Sequence, residues 1–263
     1  MRKLSPLLKN CLSAFVICTA ISTVQAQFAT STSFDYSSGK YGLSEETKIS
    51  TINIAGEYTY EAWQAKIVAP YERVTSPVGV VVINGHPNLQ KLINAKNQGK
   101  TQSESGLGDV EIFASYNTRY GEKTDWSAIV TGSVKLPTAD DENGLGTGKT
   151  DYGLAFDLSR SIGHFTPSLS FGYHFLGNPS GADLKNYFYG TVGLSYWVTD
   201  GTNLSLTLES DQRSSVGTNV DNELSFGVNH HLTKGWDAEA HALVGLSQAA
   251  PAFGLGASIR YAF

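Results

Sequence analysis

The sequence closes on Gly254-Leu-Gly-Ala-Ser-Ile-Arg-Tyr-Ala-Phe263, where apolar side chains alternate with small or polar ones. Successive side chains of a β-strand point to opposite faces, so this stretch predicts a strand with one apolar face. Such a strand fits the edge of a soluble sandwich. It also fits the closing strand of a membrane barrel, whose lipid-facing stripe ends in an aromatic girdle. The apolar set is Phe253, Leu255, Ala257, Ile259 and Tyr261.

The first 26 residues have the parts of a secretory signal peptide. Three basic residues precede an apolar run over 11–21, and Val24-Gln-Ala26 supplies the small residues of a cleavage site. The apolar run is shorter than the roughly 20 residues that a membrane-spanning helix needs. The sequence therefore predicts that residues 1–26 direct export through the inner membrane and are cleaved after Ala26.

The loss of this leader changes the composition of the chain. Cys11 and Cys18 leave with it, so residues 27–263 contain no disulfide, thiol nucleophile or cysteine-ligated metal. Sixteen Lys and Arg remain against 24 Asp and Glu, a formal charge of −8. Nucleic-acid binding needs basic side chains to neutralise phosphates, so this balance argues against DNA or RNA as a partner. We expect no cofactor and no metal.

Two-residue alternation recurs along the rest of the chain, in segments of roughly ten residues or more, the length that crosses a bilayer as a tilted strand. The segment 165–176 is the clearest, since its aromatic and aliphatic residues alternate with Thr, Ser, Gly and His. The pattern predicts twelve strands, over 27–38, 47–60, 62–74, 107–119, 125–137, 150–161, 165–176, 185–198, 202–212, 220–232, 236–246 and 252–263.

Short and long connections alternate between these segments. The joints near 61, 120–124, 162–164, 199–201 and 233–235 are short, and longer ones lie between them at 39–46, 75–106, 138–149, 177–184, 213–219 and 247–251. Short periplasmic turns and longer extracellular loops are typical of outer-membrane barrels. Aromatic residues such as Trp63, Trp126 and Trp236 lie near predicted strand ends, where interfacial girdles place them.

These patterns predict an all-β fold: a closed antiparallel transmembrane β-barrel of twelve strands over 27–263, in the bacterial outer membrane. Lipid-facing strands must close, because an open edge in hydrocarbon leaves backbone groups unpaired. The inward faces carry too many charges for a dry core, so we expect a narrow, wet lumen. The candidates to line it are Glu57, Lys66, Glu111, Lys135, Asp157, Glu209, Glu223, Glu239, His241 and Arg260.

Motifs in the middle of the chain point to a family. They are Gly106-Leu-Gly-Asp109, Lys135-Leu-Pro-Thr138, Gly144-Leu-Gly-Thr-Gly-Lys-Thr-Asp-Tyr152, Leu158-Ser-Arg160 and Gly172-Tyr173, with Phe263 at the end. With this spacing the chain resembles the outer-membrane transporter family of the MetA-pathway of phenol degradation, best over 106–177. Ala139 departs from the pattern, which has glycine after the Pro-Thr pair. The resemblance implies a barrel that takes up small compounds, aromatic ones among them.

Three classes of function remain open. The first is an outer-membrane channel or transporter for passive uptake of small hydrophilic or amphiphilic solutes. The second is a structural or adhesin-type barrel without an open pore, which paired charges across the lumen would favour. The third is an outer-membrane hydrolase, but no motif places a serine beside a histidine and an orienting group. We therefore expect no enzyme.

Further expectations concern partners. The acidic excess of the inward residues predicts a mild preference for cations. If the solute is aromatic, the inward residues Phe113, Tyr187, Tyr189 and Trp197 are the candidate contacts. Tyr261 and Phe263 are the candidate signal through which the barrel-assembly machinery engages the last strand.

Segment 75–106 is predicted to be a long loop with a role of its own, since loops over about 15 residues are usually functional or disordered. Pro77-Val-Gly-Val-Val-Val-Ile83 is too apolar for a fully solvated loop, and Asn88-Leu-Gln-Lys-Leu-Ile-Asn94 could form two helical turns. One hypothesis is that 80–93 folds over or into the barrel mouth as a gate or apolar ligand shelf. The alternative is that the strands extend above the membrane.

Two further motifs each allow a ligand-binding interpretation and a purely structural one. Gly148-Lys-Thr150 resembles the end of a phosphate-binding loop, but Asn143 replaces the required upstream glycine and a strand follows instead of a helix. Glycines that shape a loop turn are the better explanation. Asp140-Asp-Glu142 could bind calcium through carboxylate oxygens, although a solvated acidic loop is the simpler alternative.

Overall fold

The computed structural model describes residues 26–43, 45–78, 80–83, 86–89, 100–118, 125–179, 184–212 and 220–263. Residues 1–25, and with them nearly all of the predicted leader, lie outside this set. Within it, no helix is long and apolar enough to cross a membrane. The strands are β1 (Gln27–Gly39), β2 (Thr47–Tyr60), β3 (Trp63–Pro77), β4 (Val80–Ile83), β5 (His86–Leu89), β6 (Thr101–Leu107), β7 (Val110–Asn117), β8 (Trp126–Leu136), β9 (Asp151–Arg160), β10 (Phe165–Phe175), β11 (Tyr187–Thr199), β12 (Thr202–Asp211), β13 (Asp221–Thr233), β14 (Trp236–Gly245) and β15 (Phe253–Ala262).

Twelve of these strands form a closed antiparallel barrel. The ring runs β1-β2-β3 and then β7 through β15, and each strand pairs with the next. It closes where β15 pairs with β1, from Ala29 opposite Ala262 to Ser38 opposite Phe253. We call this β15–β1 boundary the seam. The predicted twelve-stranded barrel is confirmed, and its strands lie where the alternation placed them.

The outer surface of the barrel is an apolar belt. Large hydrophobic side chains there are solvent-exposed, for example Phe171 at 53% and Val192 at 58%. Apolar surface left in water costs roughly 25 cal/mol per Å². A belt that surrounds the barrel is therefore stable only against lipid tails, as in outer-membrane barrels.

The two ends of the barrel differ in their connections. At one end the turns are short, and Gly163 and Gly235 adopt positive φ angles of 59° and 84° there. Near this end aromatic rings meet on the outside, Trp63 with Tyr116 and Trp236 with Tyr261, each pair with centroids 4.7 Å apart. The longer loops lie at the opposite end, which we call the mouth. The predicted alternation holds for the connections that the structure describes, while 119–124 and 213–219 lie outside the described residues.

A β-bulge interrupts the barrel wall between β6 and β7. On β3, Tyr71 pairs with Leu107 and Val68 pairs with Glu111, so two residues of β3 face the three residues 108–110. Such an extra residue reverses the faces of the strand beyond it. Leu107 and Ile112 accordingly both face outward, 61% and 42% exposed, although five positions separate them.

Segment 75–106 is more regular than predicted. Its first residues, 75–77, end β3, and 101–106 belong to β6, with Thr75 opposite Ser103. These paired ends extend the wall above the belt, as the second hypothesis for this segment proposed. Between them β4 and β5 form a two-stranded hairpin. The predicted helical turns over 88–94 are wrong at Asn88 and Leu89, which lie in β5, and 90–94 lie outside the described residues.

Candidate functional site: the lumen and its mouth

The ten predicted lumen residues all lie on inward positions. Each occupies the register opposite to the exposed apolar side chains of its strand, as Glu57 does between Ile54 and Tyr58, which are 63% and 38% exposed. Their side chains form hydrogen bonds and ion pairs along the barrel wall. These contacts fall into groups at the seam, at the short-turn end and near the mouth.

At the seam, an ion pair reaches across a whole strand. Arg260 on β15 binds Glu57 on β2, with both Nη2 and Nε 3.2 Å from Oε2. Strand β1 lies between them and presents Ser31 opposite Arg260 and Ala29 opposite Glu57. Because these inward residues are small, the arginine lies over β1 and reaches the next strand. We call this pair the first seam tie.

A second seam tie has the same construction one strand further. His241 Nε2 on β14 lies 3.5 Å from Asp35 Oδ1 on β1, and β15 passes beneath them at Gly256. A Cβ at Gly256 would collide with both the imidazole and the carboxylate. Glycine is therefore required at this position by the close approach. Asp35 also accepts hydrogen bonds from Ser33 Oγ at 3.0 Å and Asn53 Nδ2 at 3.2 Å.

The first seam tie continues into a charged group at the short-turn end. Lys66 Nζ lies 4.0 Å from Glu57 Oε1, and Arg260 Nη1 lies 3.6 Å from Asp237 Oδ2. Asp237 Oδ1 in turn lies 2.9 Å from His231 Nδ1. Side chains from five strands, β3, β2, β15, β14 and β13, are thereby connected. Since Glu57 is 5% exposed, its charge depends on these cations for stabilisation.

Of the remaining acidic candidates, Glu239 lies beside the first seam tie, and Asp157, Glu209 and Glu223 lie on the wall further from it. Glu239 accepts a hydrogen bond from Ser258 at 3.3 Å, and Asp157 accepts one from Ser170. Glu209 and Glu223 are direct partners in the register of β12 and β13, and Asp211 and Asp221 face each other nearer the mouth. This wall is acidic over several residues.

Near the mouth, Lys135 is the centre of a buried ion triad. Its Nζ lies 2.9 Å from Asp109 Oδ2 and 2.7 Å from Asp151 Oδ2, and none of the three side chains is more than 8% exposed. The triad joins the bulge, β8 and β9. Lys135 was predicted from the sequence and the two aspartates were not, although both lie inside the motifs that carried the family resemblance. An Asp directly after Gly108 at a strand break was the available signal.

The triad holds the loop over 137–150 to the wall. Asp109 Oδ1 accepts the backbone N–H of Ala139 at 3.0 Å. Thr138 Oγ1 accepts the N–H of Val110 at 2.8 Å and donates to the carbonyl of Gly108 at 3.0 Å, which bridges the bulge. The three glycine and lysine motifs around 106–152 therefore build one structure. We call it the loop anchor: Gly108, Asp109, Lys135, Thr138 and Asp151.

Two sequence alternatives within this loop resolve in favour of turns. Gly144 and Gly148 have φ angles of 78° and 66°, and β9 follows, as expected for a loop turn and not for a phosphate-binding helix. Asp140 accepts hydrogen bonds from the backbone N–H and Nδ2 of Asn143, at 3.1 and 2.7 Å. Among the described residues, no three His, Cys, Asp or Glu side chains are grouped to hold a metal ion.

Strand β4 packs inside the mouth against this loop. Val80, Val81 and Val82 are 3%, 6% and 4% exposed, and the N–H of Val82 donates to the carbonyl of Gly144 at 3.0 Å. The buried apolar cluster that β4 joins, which we call the mouth cluster, comprises Ile49, Val74, Val82, Ala139 and Leu145. Ile49 and Val74 lie on inward positions of β2 and β3. An apolar patch therefore lies inside an otherwise polar lumen.

Aromatic residues line one wall beside the triad. His174 stacks against Tyr187 and Tyr189 at centroid distances of 4.9 and 5.0 Å. The Tyr189 ring lies over Gly172, where a Cβ would collide with it. Phe113 lines the same small cavity of about 20 Å³, room for one water molecule. Three of the four predicted aromatic contacts thus share one wall.

Trp197 lies apart from the other three. It is on the inward register of β11 but eight positions from Tyr189, about 26 Å at the rise of a strand. Its backbone N–H donates to the carbonyl of His164 at 2.9 Å, in the neighbouring short turn. Trp197 and the Tyr187–Tyr189 wall therefore lie near opposite ends of the lumen.

The geometry of a closed, polar-lined barrel agrees with what comparison of the whole chain shows. A family model described as "Putative MetA-pathway of phenol degradation" matches residues 25–263. The chain belongs to this family. The match extends beyond the segment 106–177 on which the sequence resemblance was strongest.

Solved structures similar to this family member are outer-membrane barrels. The COG4313 outer membrane channel from Pseudomonas putida F1 superposes with a TM-score of 0.70 at 15% identity, over 93% of this chain and 97% of that one. The KdgM porin gives a TM-score of 0.55 at 9% identity, over 89% and 99% of the two chains. The NanC porin gives 0.54 at 13% identity, over 88% and 98%. These likenesses establish the fold. No curated protein matches the sequence.

Proposed function

We propose that the barrel is a passive outer-membrane channel for small amphiphilic solutes, aromatic compounds among them. Three features support this: the apolar outer belt, the charged inner face and membership of a family named for phenol degradation. The similar structures named above are a channel and two porins, which agrees with it. A water-filled lumen needs no catalytic group, and the proposal includes no chemical step.

The main support for a channel is that the described ion pairs run along the barrel wall and not across the lumen. Lys135 pairs with residues at adjacent strands, and the two seam ties each pass over a single strand. Side chains held in this way lie along the wall and leave the lumen axis to water. A barrel closed by charge would instead pair residues from opposite walls. This favours a channel over a structural barrel.

The aromatic wall of Phe113, Tyr187 and Tyr189 is the reason that we propose an aromatic solute. Rings that pack against one another gain about 0.5–1.5 kcal/mol beyond the area that they bury. Lys135 and Asp151 of the triad line the same cavity as Phe113 and Tyr189, so apolar faces and polar atoms lie side by side there. Such a surface suits a ring that bears a polar substituent, with Trp197 as a separate contact at the short-turn end.

The mouth cluster favours a second candidate, a barrel whose function is structural or adhesive. Apolar side chains buried at the mouth narrow the entrance to the lumen. If they never move apart, the polar lumen below them conducts nothing. Conductance separates the two candidates directly.

The test is single-channel recording with the purified barrel in planar bilayers, followed by reversal potentials in a salt gradient. We expect discrete conductance steps and a mild cation preference from the acidic wall. Liposome-swelling rates should be higher for phenol-sized polar aromatics than for disaccharides. A silent bilayer under all voltages would overturn the channel proposal and leave the structural one, whereas an anion-selective channel would contradict only the charge argument.

Export and assembly form the remaining part of the proposal. We infer that residues 1–26 act as a cleaved leader and that Tyr261 and Phe263 present the last strand to the barrel-assembly machinery. The Tyr261 ring packs on Trp236 and Phe263 at 4.7 and 4.9 Å, on the lipid-facing side. Truncating Phe263 to Ala should slow membrane insertion in cells and let unfolded chain accumulate in the periplasm. Normal insertion kinetics of this variant would contradict the role.

A further inference from the structure

We propose that β4 is a displaceable plug, and that Val82 occupies a binding subsite which a neutral apolar solute takes when the plug moves. The subsite is the part of the mouth cluster that β4 covers: Ile49, Val74, Ala139 and Leu145. The inference rests on the proposed channel function and deepens it, since it names where a solute first binds and what class of solute binds there.

The contacts of the two partners show which one moves. The loop over 137–150 is held by Asp109 to Ala139, by both bonds of Thr138 and by the buried ion triad. Between β4 and this loop, the described contacts are the Val82–Gly144 hydrogen bond and apolar packing. A buried, charged anchor is costly to separate, whereas β4 contributes one backbone hydrogen bond to the loop, and its two groups can pair with water once β4 has moved away. The loop is therefore the fixed part and β4 the mobile part.

The fit of β4 against the loop is close at the backbone. A Cβ at Gly144 would lie 2.8 Å from the carbonyl oxygen of Val80, so glycine permits the strand to seat. Gly106 plays the same part beneath Leu145, whose Cδ1 would lie 3.0 Å from a Cβ there. Two motif glycines thus shape a seat for one apolar strand. The close fit is consistent with β4 binding to and leaving this surface as one unit, as the proposal requires.

The chemistry of the vacated subsite selects its ligand. The four side chains left behind present only hydrocarbon, so a charged or strongly polar solute would lose hydration without compensation. An apolar group that replaces Val82 restores the lost burial. A solute with an apolar ring therefore competes with β4 for the same surface, and its binding itself releases the plug.

A reversible cross-link tests the motion. Both natural cysteines lie at positions 11 and 18, so cysteines introduced into the barrel react alone. The double variant Val82→Cys/Leu145→Cys joins two members of the mouth cluster. We expect its conductance under oxidising conditions to fall at least tenfold and to return to the wild-type level with reductant. Equal conductance in both states would overturn the plug.

The matched control is Thr75→Cys/Ser103→Cys. These residues are register partners on the outer surface of β3 and β6, with their hydroxyl oxygens 3.0 Å apart. A disulfide there restrains the same end of the barrel without holding β4. Its conductance should be independent of redox state, which separates plug immobilisation from general stiffening of the wall.

The solute class has its own readout. In the single variant Leu145→Cys, the thiol replaces a side chain that is 4% exposed, so a maleimide dye should label it slowly. Benzyl alcohol should raise the labelling rate several-fold, and glycerol at the same concentration should not. An equal response to both solutes would overturn the apolar subsite. If reduced variants and wild type are all non-conducting, the channel proposal fails instead, while the labelling result still decides whether β4 moves.

Discussion

The seam and the mouth of this barrel are held by different forces. At the seam, Arg260 reaches Glu57 and His241 reaches Asp35, each across an intervening strand. At the mouth, Val82 packs among aliphatic side chains and makes one described backbone hydrogen bond to the loop. The seam joins the two ends of the chain, 203 residues apart at the first tie.

This difference in force has a functional consequence. A buried charge that loses its partner is strongly destabilised, so the seam ties favour one closed arrangement of the strands. Apolar contact is non-directional, and another apolar surface can replace it without leaving any group unsatisfied. We therefore expect changes to the ion pairs at the seam and in the loop anchor to lower stability, and changes in the mouth cluster to alter conductance.

Loss of the central cation of the loop anchor should have the largest effect. Lys135→Met leaves Asp109 and Asp151 buried side by side without a cation, and we expect a loss of about 3–5 kcal/mol in the free energy of unfolding. Denaturant titration of the refolded barrel in lipid vesicles measures it. Adding Asp109→Asn to the same chain should recover part of the loss. No recovery would mean that the lysine acts by packing alone.

The first seam tie should come next. Arg260→Gln leaves Glu57 with Lys66 as its nearest described cation, at 4.0 Å, so we expect a loss of about 2–3 kcal/mol, below that for a fully unpaired charge. A double-mutant cycle with Glu57→Gln isolates the pair energy. The matched control is Arg73→Gln, an outward and exposed arginine, which should change stability by less than about 0.5 kcal/mol. Equal losses for both arginines would remove the distinction between seam and surface.

A single methyl group tests the second seam tie. Gly256→Ala inserts a Cβ between His241 and Asp35, and overpacking of this kind costs about 1–3 kcal/mol. Gly132→Ala is the control, because nothing lies within 4 Å of a Cβ at that barrel position. Thermal unfolding of the two variants should differ clearly. A neutral Gly256→Ala would show that the His241–Asp35 contact contributes little to closure.

The mouth cluster should show the smallest change in stability. Val82→Ala removes two methyl groups from a cluster at the barrel end, and we expect a loss of about 1–2 kcal/mol in the free energy of unfolding. The same variant should raise the open probability of the channel several-fold, because the plug then packs less tightly. If it instead lowers stability as much as Arg260→Gln and leaves conductance unchanged, the mouth is a structural element like the seam.

The sequence predicted the belt well because lipid imposes a strict pattern. Strand β10 shows this, since Phe165 to Phe175 alternates without interruption and only the terminal boundary differs from the prediction. Strand β6 was assigned to a loop because it lies above the belt. Its exposed residues there are Thr101, Ser103 and Ser105, so the apolar half of the alternation is missing.

The sequence predicted which face of its strand each site residue occupies, but not which residues it contacts. Alternation gave the inward faces of Glu57, His241 and Arg260, since parity is a local property of a strand. Their partners depend on which strands meet when the ring closes, and no local pattern encodes that. The bulge at Gly108–Asp109 adds a second difficulty. It exchanges the inward and outward faces between β6 and β7, and the glycines of this segment gave no sign of that change in the sequence.

The bulge also constrains how this gene can change in length. A deletion of one residue from 105–107 would bring Gln102 and Glu104 to the outer face, whereas loss of two residues would keep every remaining side chain on its side. Removal of Gly108 would abolish the bulge, and every side chain of β6 would then point to the wrong face. Natural relatives of different length should therefore gain or lose residues here in even numbers, unless a second compensating bulge accompanies the change.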